Sequence, residues 1–196
     1  MLKNKSIREA AKVMEMLIDR DGSTRTSGQT GENVRKSFPV WGLRIMKVEF
    51  RKADTADAEL LIDIYNSSFY DDYMNYGECP AYGKTKEMMR QSIIDYSKFL
   101  ILYNGRPVGC ISCKEAEKGI YEVGCLCVIP EFQGKGIGTA AMEFAKSYYS
   151  DWKGFTLVTP ADKRENIRFY TEKCGFDIRS VEMDGNVQVV RFVLER

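Results

Sequence analysis

The chain of 196 residues is 44% hydrophobic and 29% charged, a composition that predicts one globular domain with a sizeable core. Its formal net charge of +1 and the lack of an apolar run of about 18 residues argue against nucleic acid or a membrane as partner. Histidine is absent, which excludes Ser-His-Asp and Cys-His nucleophilic sites and metal centres built on imidazole, so acid–base chemistry must use Glu, Asp, Tyr, Lys or Cys.

The first 45 residues are expected to form an appendage. Apolar residues recur at helical spacing between residues 5 and 20, which predicts an amphipathic helix. Residues 21–37, DGSTRTSGQTGENVRKS, contain one large apolar residue, Val34, and predict a flexible linker. The arm fits a targeting peptide poorly, because it has no long apolar segment and its acidic residues are interspersed. A globular domain is therefore expected over residues 46–196, and Met46 is a candidate start of translation.

From Met46 onward, hydrophobic periodicity and turn residues predict alternating strands and helices. The first elements are a strand at 47–51, a helix capped by Asp54 or Thr55 with its apolar face at 60–69, and a helix capped by Thr85 with its apolar face at 89–96. Three strands follow, at 98–103, 106–114 and 121–129, and then a helix at 137–148. The last elements are a strand at 154–159, a helix at 162–173, and strands at 176–183 and 187–194. Asn104-Gly105 indicates a hairpin, and a polar, tyrosine-rich loop is expected at 70–83. This order predicts a mostly antiparallel sheet with helices on both faces.

The six cysteines suggest a metal or disulfide framework at first sight. Cys110 and Cys113 have zinc-knuckle spacing, but they lie in a predicted strand, where residues three apart point to opposite faces. Cys125 and Cys127 share a face of the next strand, which suits packing. We expect buried, reduced thiols in a cytoplasmic protein and no metal; a zinc or disulfide site is the weaker alternative.

The most informative stretch joins a buried strand to a glycine-rich turn. Pro130 ends the strand at 121–129, and Gln133, Gly134, Lys135, Gly136, Ile137, Gly138 and Thr139 then lead into a helix. Glycines admit a ligand to the backbone, and N–H groups in the first helical turn are free to bind an anion such as a pyrophosphate. The spacing G-x-G-x-G fits neither the P-loop nor the dinucleotide-binding fingerprint. The alternative is a tight turn that caps an ordinary helix.

The run Gln-Gly-Lys-Gly-Ile-Gly after Val-Ile-Pro-Glu-Phe closely resembles the Q/R-x-x-G-x-G/A signature of the GNAT superfamily of acyl-CoA-dependent N-acetyltransferases. A second block, Asn166–Phe176, looks like the family's N-x-x-F/L-Y-x-K-x-G-F segment. The predicted element order is similar to the GNAT fold over residues 46–196. The resemblance implies an α/β fold of the α+β type, with a mixed, mostly antiparallel central sheet of about seven strands flanked by helices on both faces.

The resemblance also implies roles for individual residues. Acetyl-CoA would be bound by the turn residues Gln133 to Thr139 and by backbone N–H groups of Leu126, Cys127 and Val128, where strands of the family often bulge. Many relatives carry an asparagine where this chain has Lys163, so Asn166 is a substitute candidate for holding the pantetheine arm. Glu122 would be the general base, directly or through a water, and Tyr170 would protonate the departing thiolate. The alternatives are a solvated surface carboxylate for Glu122 and an aromatic core residue for Tyr170.

These expectations describe an acyl-CoA-dependent N-acyltransferase, foremost an acetyltransferase, that passes an acetyl group to a primary amine by direct attack in a ternary complex. The acceptor would be a small molecule or a protein, and a homodimer is left open. A route through an acylated Cys127 or Cys174 is the weaker alternative, since the sequence places no base beside either thiol. A CoA-binding regulatory module without turnover, or an interaction protein, is the alternative from another class.

Overall fold

The computed structural model describes residues 47–196. The expected helix at 5–20, the linker at 21–37 and the candidate start at Met46 lie outside the described residues. The strands of the described part are β1 (Val48–Lys52), β2 (Ser97–Tyr103), β3 (Arg106–Glu117), β4 (Ile120–Val128), β5 (Gly154–Pro160), β6 (Asp177–Asp184) and β7 (Val187–Glu195). Its α-helices are α1 (Ala58–Tyr76), α2 (Lys86–Asp95), α3 (Ile137–Tyr148) and α4 (Arg164–Arg168).

The strands form one seven-stranded sheet in the order β1-β2-β3-β4-β5-β7-β6, in which β4 and β5 are parallel and all other neighbours are antiparallel. Lys98 and Phe99 are adjacent on β2 and point to opposite faces. Lys98 Nζ donates to the hydroxyl of Tyr65 on α1 at 3.1 Å, whereas the Phe99 ring packs edge-on against Phe144 of α3, with 4.9 Å between centroids. Helices therefore cover both faces, which confirms the predicted fold class.

The chain enters α1 through a short 3-10 turn whose first residues cap one another. Asp54 Oδ1 accepts a hydrogen bond from Ala56 N at 2.7 Å, and Asp57 Oδ2 accepts one from Asp54 N at 3.0 Å, so the two carboxylates form a reciprocal capping box. Arg51 donates to both oxygens of Asp57, at 2.9 and 2.7 Å. The hydrogen bond from Arg51 lowers the pKa of Asp57.

The end of α1 differs from the prediction. The helix continues to Tyr76, and Gly77 then takes a left-handed conformation (φ 74°) from which its N–H donates to Tyr73 O at 2.9 Å. The loop expected at 70–83 is thus wrong in its first half. Residues 70–76 contain neither glycine nor proline, so nothing local stops the helix before Gly77.

Turn and capping residues elsewhere behave as predicted. Asn104 and Gly105 both have positive φ, 52° and 81°, as the tight hairpin between β2 and β3 requires. Thr85 Oγ1 accepts a hydrogen bond from Met88 N at 3.2 Å at the start of α2. These short-range signals fix the hairpin and the helix start where the sequence placed them.

The helix expected at 162–173 is also modified. It ends as an α-helix at Arg168, and the following turn, Phe169–Lys173, is a π-helix whose closing bond runs from Cys174 N to Phe169 O at 3.2 Å. Such widened single turns occur often at functional sites. This one carries Tyr170.

The parallel pair β4 and β5 separates along its length. Pairing covers Ile120–Glu122 against Gly154–Thr156; β5 then continues beside β7, and β4 beside β3. On β4 the register with β3 shifts because Gly124 is an extra residue between Val123 and Cys125. A Cβ at Gly124 would lie 2.5 Å from Cε1 of Tyr96, so this close approach requires glycine. The bulge expected at Leu126–Val128 is therefore at Gly124, just beyond Glu122, the last residue of β4 that pairs with β5.

Candidate active site

The opening between β4 and β5 exposes backbone donors on β4. Ile129 N donates to Val108 O on β3 at 2.8 Å. Because N–H directions alternate along an antiparallel strand, the N–H of Cys127 also points to β3, whereas those of Leu126 and Val128 point away from β3 into the opening. Two of the three predicted backbone donors are therefore available to a ligand, and the Cys127 N–H is directed into the sheet.

The glycine-rich turn lies at the end of this opening. Gly134 and Gly136 have φ of 72° and 75°, and a Cβ on either would meet nothing within 4 Å, so the backbone is open to a ligand. The side-chain amide of Gln133 donates from Nε2 to Val128 O at 2.8 Å, which ties the turn to the end of β4. Gln133 thus has a positioning contact that the sequence motif alone does not reveal.

The turn leads directly into the N-terminus of α3. Ala140 N donates to Gly136 O at 3.0 Å, the first bond of this helix, so the N–H groups of Ile137, Gly138 and Thr139 precede it and point out of the helix end. Together with the positive end of the helix dipole they form a site suited to a pyrophosphate.

Two residues of the motif have roles that were not foreseen. A Cβ at Gly138 would lie 3.0 Å from Cζ of Phe169, so glycine lets the start of α3 approach the π-turn. Lys135 Nζ donates to Glu131 O at 2.8 Å and lies 5.7 Å from the Phe132 ring centroid. Lys135 is therefore held beside the turn, and its predicted part in binding the coenzyme stays a prediction.

One cleft of about 600 Å³ collects most of the predicted ligand-binding residues. The predicted residues that line it are Leu126, Val128, Gln133, Gly134, Gly136, Ile137, Gly138, Thr139, Asn166 and Tyr170. Residues that were not predicted also line it, namely Phe132, Glu165, Phe169 and Lys173. A neighbouring cavity of about 620 Å³ shares Leu126, Val128, Gln133 and Asn166, includes Cys127, and reaches Ser67–Asp72 of α1. The strand opening, the glycine turn and the π-turn thus border one continuous space.

Tyr170 stands between the cleft and the core. Only 8% of the residue is exposed, and its ring contacts Phe169, Phe176 and Phe192 at centroid distances of 4.9, 5.7 and 5.6 Å. Burial, followed by the charge of nearby Cys125, raises the pKa of Tyr170 well above its ordinary value. The phenol therefore keeps its proton at neutral pH.

The loop before α4 is held by the unexpected extension of α1. Lys163 Nζ pairs with Asp72 Oδ1 at 2.5 Å, and the Tyr76 hydroxyl donates to Asp162 Oδ1 at 2.6 Å. Asn166 Nδ2 donates to Thr159 Oγ1 at 2.9 Å, which fixes its amide at the edge of the cleft. Lys163 is therefore engaged in a contact with α1, and Asn166, the substitute candidate, lines the cleft.

Glu122 occupies the last paired position of β4 before the strands separate. It lines a different cavity, of about 340 Å³, that includes Gly124, Leu157 and Arg191. Burial and the neighbouring Glu122 carboxylate raise the pKa of Tyr96. The structure thus does not bring Glu122 and Tyr170 into one cavity; the two residues line separate spaces along β4.

A further cavity of about 360 Å³ lies on the α1 and α2 face of the sheet and contains functional candidates that sequence reasoning missed. Lys98, 3% exposed, lines it together with Lys84, Tyr96 and Cys125. The available signal was a single charged residue within the apolar strand SKFLILY, since Lys is rarely buried without a reason.

The cysteines are free thiols. Within residues 47–196, no group of three His, Cys, Asp or Glu side chains is arranged to hold a metal ion. In the same part of the chain, no helix has the length and apolar character needed to cross a membrane.

The chain is similar in sequence to a known family and to a bacterial protein. The model of the family described as "Acetyltransferase (GNAT) family" matches residues 59–176. An uncharacterized protein of Bacillus subtilis (strain 168), YrkN, is 33% identical over 79 residues, which are 40% of this chain and 43% of YrkN. That alignment thus spans less than half of the relative's length.

Two solved structures with similar folds were determined with coenzyme A. The PaiA N-acetyltransferase from Thermoplasma acidophilum, in complex with coenzyme A, superposes with a TM-score of 0.62 at 20% identity, covering 74% of this chain and 98% of that one. The spermidine N-acetyltransferase from Vibrio cholerae, in complex with CoA and spermine, gives a TM-score of 0.62 at 16% identity, covering 76% and 95%. At these identities the likeness concerns the fold.

Proposed function

The chain belongs to the acetyltransferase (GNAT) family, and from this premise we propose that it transfers an acetyl group from acetyl-CoA to the nitrogen of a primary amine, by direct attack in a ternary complex. One observation carries the proposal. The opening after Glu122, the outward N–H groups of Leu126 and Val128, and the N-terminus of α3 all border one cleft. An elongated ligand with an anionic end and amide groups along its length matches these donors.

Acetyl-CoA supplies such a shape and charge. The N–H groups of Ile137, Gly138 and Thr139 would bind its pyrophosphate, and Gly136 keeps side chains away from the phosphates. The N–H groups of Leu126 and Val128 would donate to the pantetheine amides and to the thioester oxygen, where negative charge develops during attack. The description of PaiA in complex with coenzyme A supports this choice of co-substrate.

The proposed chemistry forms a C–N bond and breaks the C–S bond of the thioester. An amine with a pKa near 10 must lose a proton before it attacks, and Glu122 would accept that proton, directly or through a water. The coenzyme sulfur leaves as a thiolate, and Tyr170 would protonate it; the second proton of the amine nitrogen, released as the amide forms, would return to the phenol, which burial favours in its protonated form. Gly124, which lines both the Glu122 cavity and the cavity on the α1 face, marks where the amine would approach.

The acceptor would be a small-molecule or protein amine, with no metal required by the chemistry. The free thiols suit a reducing compartment, so we place the reaction in the cytoplasm.

A panel of primary amines incubated with acetyl-CoA tests the proposal through release of free coenzyme thiol. We expect amine-dependent thiol release above the rate of acetyl-CoA hydrolysis without amine, which serves as the control. Tight binding of acetyl-CoA without thiol release on any amine would instead favour a CoA-binding regulatory module.

A further inference from the structure

The cavity on the α1 and α2 face, called here the lysine pocket, is enclosed by α1, the loop at 77–85, α2 and strands β2 to β4. Its volume of about 360 Å³ is sufficient for a small molecule. It is lined by Tyr65, Phe69, Cys79, Pro80, Ala81, Lys84, Ser92, Tyr96, Lys98, Ser112, Gly124 and Cys125. Gly124 also lines the Glu122 cavity, so a molecule in the lysine pocket would have one end close to the proposed base.

Lys98 is the unusual residue of this pocket. It is buried, and its Nζ donates to the Tyr65 hydroxyl at 3.1 Å and lies 5.4 and 5.5 Å from the ring centroids of Tyr65 and Tyr96. None of the ion pairs formed within residues 47–196 includes Lys98. A buried ammonium without a carboxylate partner is costly to the fold. One ionisable group beside it in the pocket is the thiol of Cys125, whose pKa is lowered by the hydrogen bond with Cys127 and in part by the charges of Lys98 and Lys84. A ligand carboxylate in the cavity would compensate the charge of Lys98.

A second cation faces the same space. Lys84 lines the pocket and, in the described part of the chain, is absent from the same set of ion pairs. Burial, followed by the charge of Lys98, lowers the pKa of Lys84, as expected for two ammonium groups that line one pocket. Two cations therefore converge on a pocket that no Asp or Glu lines.

We propose that the lysine pocket is the acceptor site and that it selects a primary amine bearing a carboxylate, as in a free amino acid, with the carboxylate bound by Lys98 and Lys84 and the amine directed past Gly124 towards Glu122. This inference rests on the proposed transfer of acetyl to an amine. The two lysines favour acceptors with a carboxylate, which they attract, and disfavour acceptors with additional positive charge, such as polyamines, which they repel.

Matched pairs of amines that differ only in the carboxylate provide the test. The pairs are free phenylalanine with phenethylamine, free leucine with isoamylamine, and free methionine with 3-(methylthio)propylamine, each assayed with acetyl-CoA. For the wild-type protein we expect kcat/KM to favour each amino acid by about 10²-fold, mainly through a lower KM. Charge-assisted hydrogen bonds to a bound carboxylate supply binding free energy of this size.

The variant Lys98→Met isolates the effect of the buried cation, because intrinsic differences in amine reactivity cancel when the same ratio is compared between proteins. We expect the preference to fall by at least about 30-fold in Lys98→Met, a loss in the range for charged hydrogen bonds. Lys118→Met, which also removes one positive charge but at the exposed turn before β4, should leave the ratio of kcat/KM between amino acid and matched amine unchanged. Acetyl-CoA affinity should stay normal in both variants, since neither residue lines the coenzyme cleft.

Equal ratios in wild type and Lys98→Met would overturn the inference while leaving acetyl transfer intact. If Lys98→Met does not fold, Lys84→Met at the half-buried loop position carries the same test, with a several-fold loss expected and an unchanged ratio contradicting it. A preference that survives in Lys98→Met and disappears in Cys125→Ala would assign recognition to the thiol instead.

If no amine is acetylated, the proposed function fails, and the pocket is then tested by calorimetric binding of 3-phenylpropionate. Binding to wild type that is lost in Lys98→Met supports an anion site; no binding to either protein overturns it.

Discussion

Replacing Tyr170 by Phe separates a proton donor from a core aromatic residue. The ring contacts with Phe169, Phe176 and Phe192 survive the change, and the hydroxyl makes no hydrogen bond to the described part of the chain. The free energy of unfolding should therefore change by less than about 1 kcal/mol. Loss of a general acid should lower kcat by about 10²-fold, equivalent to about 2.7 kcal/mol of transition-state stabilisation, with nearly normal affinity for acetyl-CoA.

The assay measures thermal stability, acetyl-CoA affinity and kcat on the same Tyr170→Phe protein. Tyr149→Phe is the matched control, because this ring also packs on an aromatic neighbour, Tyr121, at 4.2 Å and lies outside the cleft. We expect kcat to fall in Tyr170→Phe alone. A lowered melting temperature with wild-type turnover would refute the reasoning and assign Tyr170 to the core.

Three further predictions follow from the turn, the proposed base and the α1 cap. Gly136→Asp should abolish acetyl-CoA binding by placing a carboxylate at the pyrophosphate, whereas Gly105→Asp, at a similarly positive φ on the β2–β3 hairpin, should leave binding unchanged; equal affinity in both variants, by calorimetry, would place the phosphates elsewhere. Glu122→Gln should reduce kcat by about 10²-fold with normal acetyl-CoA affinity, and full activity would remove Glu122 from the mechanism. Asp57→Asn should cost about 1 kcal/mol of stability at neutral pH by weakening the capping box and the screened pair with Arg51. Because folding lowers the pKa of Asp57, that contribution is complete above the carboxyl's unfolded pKa near 3.9 and disappears as pH falls through the lower folded value; a wild-type–Asp57→Asn difference in urea stability that persists well below this range would contradict the assignment.

Features set by neighbouring residues could be predicted from the sequence. Thr85 and the Asn104-Gly105 pair act within a few residues of themselves, so the α2 start and the β2–β3 hairpin lie where expected. The glycines from Gly134 to Gly138 precede α3 for the same local reason. Element order, and with it the class of sheet, follows from such signals together with the hydrophobic pattern.

Features that depend on contacts distant in sequence could not be predicted. The ion pair between Asp72 on α1 and Lys163 before α4 joins two distant parts of the chain, and no periodicity relates those two residues. The separation of β4 from β5 depends on how each strand pairs with its other neighbour. Lys98 is recognisable as unusual in sequence, but only the fold shows that it lines a cavity without an acidic partner.

The central claim is that the acetyl group of acetyl-CoA is transferred to an amine nitrogen in the β4–β5 cleft. Mass spectrometry after incubation with acetyl-CoA labelled with carbon-13 in the acetyl group, and with the amine pairs above, tests this most directly. We expect a labelled amide on the acceptor in the presence of the wild-type protein and none with Gly136→Asp. Labelled acetyl-CoA that binds the wild-type protein yet yields no labelled amide, with any amine, would contradict the account.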